Sequence, residues 1–329
     1  MTMCCETANK VPTNIALDVH AHLIPVGHEP FPLFSGVDWQ EGKLTIDGHT
    51  VGLKKIYDVE ALTSWMTEYS VEEAYVSLPP PVYRQELNEA DSRQWFGYLN
   101  EQLLAQCELH NSKLKALPHL PLEHPQLALE IAREYGSKGI PGFALAAGGP
   151  NTPVYSADEL DVVWQELNKQ EAFVLIHPGG CCDGRLKAFY LSNLVGNPYE
   201  TGVAVSHLIF KGIPSQHPNI KFCLVHGGGV VPMLVGRWCQ GFETNRPGVD
   251  SSLETPDKAI KRFYMDCITH SADAVELTAK TIGQERIMFG SDWPFPMGFV
   301  KPTQDMAEFP EELKLAICNN RPDQKVELQ

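Results

Sequence analysis

Eight short apolar runs recur along this chain, at 15–22, 73–78, 114–120, 142–147, 173–177, 220–226, 263–269 and 286–291. Helical patterns separate them. Residues 58–69 put Val59, Leu62, Trp65, Met66 and Tyr69 on one face, and similar periodicities cover 85–110, 123–135 and 157–170. Strands that alternate with helices cannot pair as hairpins. They must lie parallel, and eight such units predict an α/β fold of the closed (β/α)₈ TIM-barrel type.

Two segments break the alternation. Residues 24–55 are rich in Pro and Gly and hold short strand-like pieces at 43–46 and 50–53 around an Asp47-Gly48 turn, which predicts a small β-ribbon inserted after the first strand. Residues 181–199 form a long connection after the fifth strand, on the face where a barrel carries its chemistry. The expected organisation is a flexible N-terminal extension over 1–13 and a single barrel domain over 14–329.

Composition limits the partners. With 329 residues, 26 Lys and Arg against 41 Asp and Glu leave a net charge of −15, which makes a nucleic-acid surface unfavourable. No run reaches the roughly 18 to 20 apolar residues of a membrane span, and the first residues lack a secretory pattern, so the expectation is a cytoplasmic protein. Nine cysteines are too scattered for a disulfide scaffold; Cys107, Cys223, Cys267 and Cys318 read as small buried thiols.

The chemistry gathers at strand ends. Asp18-Val19-His20-Ala21-His22 closes the first strand, and residues two apart on a strand share a face, so both imidazoles project together as the start of a divalent metal site. The fifth strand ends in His177, the sixth in His226 before Gly227-Gly228-Gly229, and the eighth in Gly290-Ser291-Asp292-Trp293-Pro294. In a barrel these ends meet at one mouth. Buried Asp and His in apolar runs are costly without a metal or charged partner. His119, His124, His207, His217 and His270 read as core or surface residues, and the triple glycine as a place of close backbone approach.

These residues resemble the amidohydrolase superfamily, and within it the branch of aminocarboxymuconate semialdehyde decarboxylase and related metal-dependent decarboxylases. The resemblance runs from His20 to about Pro296 and is densest in SHLIFKGIPSQHPNIKFCLVHGGGVVPMLVGR and RIMFGSDWPFPMG. It implies that His20, His22, His177 and Asp292 ligate one Zn²⁺, with Mn, Co or Fe able to fill the same cage, and that His226 is the unligated acid/base residue. Two-metal members carry a lysine at the end of the fourth strand. Here Gly142 to Gly148 has none, which implies a mononuclear site, and Lys138 reads as a solvated loop charge.

For the substrate, the resemblance implies a small carboxylic acid. The ribbon lacks the arginine that holds a carboxylate in such enzymes, with only His49, Lys54 and Lys55 nearby, and Tyr190 stands where they carry a tryptophan. Arg237 matches an arginine that reaches across a dimer interface, which implies a homodimer; a surface salt bridge is its alternative. Phe295 is a candidate wall for a flat substrate, and Arg185 either joins the long loop's chemistry or ties that loop down. The expected function is a zinc-dependent decarboxylase of a small conjugated or aromatic acid, without an organic cofactor. The alternatives are a metal-dependent hydrolase or hydratase acting on a lactone, amide or unsaturated acid, and, behind both, a non-catalytic metal-binding barrel.

Overall fold

A computed structural model describes residues 14–26, 34–110 and 113–324; the N-terminal extension expected over 1–13 lies outside them. The first strand, β1 (Asp18–His22), is followed by three ribbon strands, β2 (Val37–Gln40), β3 (Lys43–Ile46) and β4 (His49–Thr50). Seven more follow: β5 (Ala74–Ser77), β6 (Leu114–Leu117), β7 (Gly142–Gly148), β8 (Phe173–Gly180), β9 (Lys221–Leu224), β10 (Tyr264–Asp266) and β11 (Ile287–Met288).

The barrel strands pair in parallel in two arcs, β1-β5-β6 and β7-β8-β9-β10-β11. Parallel bridges join the arcs at both seams, His119 to Ala144 on one side and Asp18 to Phe289 with Ala21 to Trp293 on the other. The eight expected strands therefore close a (β/α)₈ barrel in chain order. Several are shorter than their apolar runs, because the chain leaves the ladder early to form the mouth.

The helices α1 (Val59–Glu68), α2 (Glu89–Leu109), α3 (Pro125–Gly136), α4 (Asp161–Lys169), α5 (Asn197–Lys211), α6 (Ile213–Gln216), α7 (Val231–Glu243), α8 (Pro256–Ala259), α9 (Ala272–Ile282), α10 (Pro302–Asp305) and α11 (Glu311–Asn319) follow the same chain order. Asp58, Asn88 and Ser271 cap α1, α2 and α9 with side-chain oxygens that accept from the first turn. Strand residues alternate between two cores. Leu17, Val19, Tyr75, Phe173, Leu175 and Tyr264 belong to a cluster inside the barrel, whereas Val76, Val174, Ile176, Phe222 and Phe289 pack outward in a larger one. The inner cluster is the floor beneath the mouth.

The ribbon is an antiparallel sheet in the order β2-β3-β4. Glu41-Gly42 and Asp47-Gly48 make its two tight turns, all four residues at positive φ (52°, 72°, 46° and 82°), the backbone that two-residue hairpins need. Its strand Val37–Gln40 alternates half-buried Val37 and Trp39 with exposed Asp38 and Gln40. Leu44 and Ile46 fasten the ribbon to the outer core, and the Tyr57 hydroxyl accepts from the Leu44 N–H while donating to the Val51 carbonyl.

Candidate metal centre and active site

The two histidines of β1 reach the barrel interior through a change of phase. Leu17 and Val19 face the inner cluster, yet Ala21 and Leu23 belong to the outer one. Pairing with β5 slips between Asp18 and Ala21. That bulge flips the alternation, so His20 and His22 turn inward above the floor instead of outward against helices. On β8 no slip is needed, since His177 continues the inward series Phe173, Leu175. Asp292 and His226 lie just past their strands on left-handed backbone, φ 52° and 54°. For residues other than glycine this is sparsely populated and costs on the order of 1 kcal/mol, a feature that concentrates at functional sites.

All five groups converge. One ligand atom each from His20, His177, His226 and Asp292 fall within 4.8 Å of one another, and His22 Nε2 is 3.1 Å from His20 Nε2 and 3.2 Å from Asp292 Oδ1. The rings of His20, His22 and His177 meet edge to face at centroid distances of 5.0 to 5.1 Å. His226 stands 5.2 Å from the His177 ring and 5.3 Å from the His20 ring.

The outer nitrogens are anchored. His20 Nδ1 is 2.8 Å from Asp266 Oδ2, His22 Nδ1 is 3.2 Å from Ser77 Oγ, and His177 Nδ1 is 2.9 Å from the Pro178 carbonyl oxygen. Each bond fixes the ring and directs Nε2 inward. Two imidazole Nε2 atoms 3.1 Å apart repel unless a proton or cation lies between them. Asp292 Oδ1 is buried and, although 3.2 Å from His22 and 3.4 Å from His20, lies outside hydrogen-bond geometry with both. Inward imidazoles and an orphaned carboxylate oxygen fit a divalent cation.

The electrostatics agree. Burial alone would lower His20, but Asp292 and Asp266 reverse this and hold it up to about 10. Burial lowers His22 and takes His177 well below its ordinary value, so both stay neutral donors. Burial also opposes ionisation of Asp292, yet the imidazoles, His20 foremost, keep its carboxyl well below the usual range. The centre attracts positive charge.

Asp266 is the residue that sequence reasoning missed. It is fully buried, accepts the Gly227 and Ile268 N–H groups at 2.8 and 3.0 Å through Oδ1, and holds His20 through Oδ2. Gly290 makes the approach possible, since a Cβ there would fall 2.8 Å from the Asp266 Cβ and 3.1 Å from the His20 Cβ. The signal was available, as Tyr264-Met265-Asp266-Cys267 buries a lone carboxylate in an apolar run just as the eighth strand does. Asp18 has a related part, binding the Ser291 N–H and hydroxyl and the His20 N–H, which ties β1 to the Asp292 turn.

A cavity of about 600 Å³ opens onto His226 and Asp292. Asn193, Asn197, Thr269 and Asp273 supply polar lining; Leu194, Ile268 and Met297 supply apolar lining. Phe295 packs against His22 with centroids 5.5 Å apart. Tyr190 is 63% exposed and does not line this cavity; the long loop contributes Asn193, Leu194 and Asn197 instead. Arg237 is exposed on α7 and, among the described residues, has no ion-pair partner. Arg185 pairs with Asp183 and Lys138 with Glu134, both at the surface. Among the described residues, no helix is long and apolar enough to cross a membrane.

The chain is similar over most of its length to known decarboxylases. It is 25% identical to 2-amino-3-carboxymuconate-6-semialdehyde decarboxylase of Dictyostelium discoideum, covering 92% of this chain and 88% of that one. The protein of the same name from Caenorhabditis elegans is 27% identical over 89% of this chain and 88% of its own. Among solved structures, 5-carboxyvanillate decarboxylase of Novosphingobium aromaticivorans, complexed with manganese and 4-hydroxy-3-methoxy-5-nitrobenzoic acid, superposes with a TM-score of 0.72 at 17% identity, over 82% of this chain and 80% of that one. Residues 17–320 match the amidohydrolase family model, the stretch that carries the barrel and all five convergent groups, and the chain therefore belongs to the amidohydrolase family.

Proposed function

We propose that this protein is a metal-dependent, cofactor-independent decarboxylase of a small conjugated or aromatic carboxylic acid. The observation that carries the reading is the convergence of His20, His22, His177, His226 and Asp292, with His226 and Asp292 facing a cavity of about 600 Å³. The curated relatives that span nine-tenths of the chain are decarboxylases, which supports the same reaction class.

His20, His22, His177 and Asp292 are assigned as ligands of one divalent cation. The ligand set suits zinc, and the manganese-bound relative keeps manganese as a second candidate. A cation held there supplies Lewis-acid polarisation of a substrate oxygen. The division of roles rests on anchoring. Three of the histidines have their outer nitrogen fixed, whereas His226 Nδ1 has no partner among the described residues, and His226 Nε2 lies 3.8 Å from Asp292 Oδ2 at the cavity wall.

His226 is thus free to carry a proton. Protonated at Nε2, it delivers that proton to the ring or alkene carbon that bears the carboxylate, the carbon–carbon electron pair stays with that carbon, and CO₂ departs. The balance is R–COO⁻ + H⁺ → R–H + CO₂, and His226 regains its proton from solvent through the cavity. Phe295 gives a flat substrate an apolar wall. Tyr190 is assigned to the outer rim of the same entrance.

The reading extends to a homodimer in the cytoplasm. Unpaired Arg237 shares the exposed face of α7 with Met233, which is 73% exposed and also lines the cavity, an arrangement suited to a second copy that receives the guanidinium at its own site. The seven cysteines among the described residues are all free, in keeping with a reducing compartment.

The test is a panel of aromatic and muconate-type acids assayed for CO₂ release, beside lactones and amides assayed for acid release, with metal analysis of the purified protein. Release of CO₂ from at least one acid, abolished by chelation and restored by zinc or manganese, is the expected result. Turnover of lactones or amides alone would assign hydrolysis instead. Sedimentation velocity reads the oligomeric state.

A further inference from the structure

Tyr83 follows β5, across the barrel from His226, which follows β9. Its side chain is 1% exposed, and its hydroxyl has no hydrogen-bond partner among the described residues. Buried phenols nearly always find one, and an unpaired hydroxyl costs on the order of 1 to 3 kcal/mol.

The ring is held by packing alone. It stacks on His119 with centroids 4.4 Å apart, and His119 stacks on Phe96 at 4.7 Å. The edge of Tyr83 meets His177 at 6.4 Å. Among the described residues His119 makes no hydrogen bond through either ring nitrogen, and burial lowers it to about 3, so it is a flat neutral platform at any physiological pH. The stack fixes where the hydroxyl sits without using it.

The neighbouring donors have partners of their own, apart from Arg84 Nε, which is buried without a hydrogen bond among the described residues. Tyr83, Arg84, Gln85 and Gly179 line a cavity of about 450 Å³ beneath the ribbon. Arg84 faces Glu86 at 3.4 Å and Asp47 at 3.8 Å and donates to the Ser35 carbonyl, so its charge is already balanced. Gln85 donates to the Gly148 carbonyl. Burial, with the nearby Asp292 charge, raises the Tyr83 phenol far above its ordinary range, which keeps it a donor.

We propose that the Tyr83 hydroxyl is a substrate contact, donating a hydrogen bond to an anionic oxygen of the acid bound at the His/Asp centre, on the side opposite His226. This rests on the decarboxylase reading above. An acid gripped on one side by Tyr83 presents its reacting carbon to His226 on the other, and analogues without an oxygen on the Tyr83 side lose the contact.

The experiment is calorimetric titration of the metal-loaded enzyme with salicylate and with benzoate, for the wild type and Tyr83→Phe. The expected result is salicylate affinity about tenfold weaker in Tyr83→Phe, with metal content and Tm no lower than wild type, because only an unpaired hydroxyl is removed. Equal salicylate affinity in the two proteins overturns the contact and leaves the decarboxylase reading standing. A metal-loaded wild type that binds neither acid overturns that reading and this proposal with it. Should Tyr83→Phe lose metal, His119→Phe decides, since it keeps the platform and the hydroxyl. Retained salicylate affinity there supports the contact, and lost affinity overturns it.

Discussion

The two walls of the barrel mouth are built in opposite ways. On the side of β1, β10 and β11, buried polar groups are knitted together: Asp266 holds His20 and two backbone N–H groups, and Asp18 holds Ser291 and the His20 N–H. On the side of β5 to β7, Tyr83 Oη, both His119 nitrogens and Glu123 Oε1 are buried without partners among the described residues. A folded chain carries such orphans only where something other than its own side chains and backbone makes use of them, or at a cost in stability. Apart from the inward Asp292 Oδ1, the knitted wall has its polar groups satisfied within the chain, as a rigid support for ligands. The orphaned wall is arranged by shape, and its buried polar atoms have no partner among the described residues.

The sharpest separation of holding from reacting comes at His226, which belongs to neither network. His226→Ala removes a side chain that lines the cavity and leaves every anchored imidazole in place. Metal content should remain near one equivalent per chain while kcat falls about 10²- to 10⁴-fold. Metal analysis beside single-turnover CO₂ release checks this. Loss of metal with loss of turnover would place His226 among the ligands and break the division of roles.

The knitted wall is probed by Asp266→Asn. Asparagine keeps the size and one acceptor, yet it no longer offers His20 a charged partner. The metal's dissociation constant should rise about 10- to 100-fold, as for other second contacts to ligating histidines, and competition with a chelator measures it. Because the Asp266 side chain does not itself line the cavity, kcat at saturating metal should change much less than metal affinity. An unchanged dissociation constant would mean that the network is scaffolding and that His20 needs no orientation.

How much of this was readable follows the same division. The eight strands, the ribbon and the five convergent residues were legible, because strand ends in a closed barrel must converge and DVHAH, LIHP, LVHGGG and FGSDWP each close a strand. The phase change at Val19 and His20 was not. An alternating pattern read straight through would send the histidines outward once Leu17 and Val19 face in, and a bulge leaves no mark in residue type. Tyr83 was hidden for another reason. In Pro79-Pro80-Pro81-Val82-Tyr83-Arg84 it looks like loop punctuation, and its position depends on His119 and Phe96, brought to it from distant parts of the chain. Tyr190 stands 63% exposed on left-handed backbone, φ 60°, a setting that its residue type in the long loop does not announce.

The smallest effect tests whether the orphaned wall carries a stability cost. Burial raises the Glu123 carboxyl from 4.5 to about 7, and no basic side chain opposes it. A carboxyl that binds its proton more tightly folded than unfolded makes the fold most stable at low pH. The contribution is fully present below about 4.5 and is lost as pH rises through about 7, above which the buried charge is an uncompensated burden. Glu123→Gln removes the charge and keeps the shape. Allowing for its partial exposure, the gain at pH 8 should be on the order of 1 to 2 kcal/mol, a rise of a few degrees in Tm, shrinking towards zero at pH 4. Thermal melts of both proteins across that range measure it. A gain that does not depend on pH would mean that Glu123 is neutral or compensated throughout, and the asymmetry between the walls would then narrow to Tyr83 and His119.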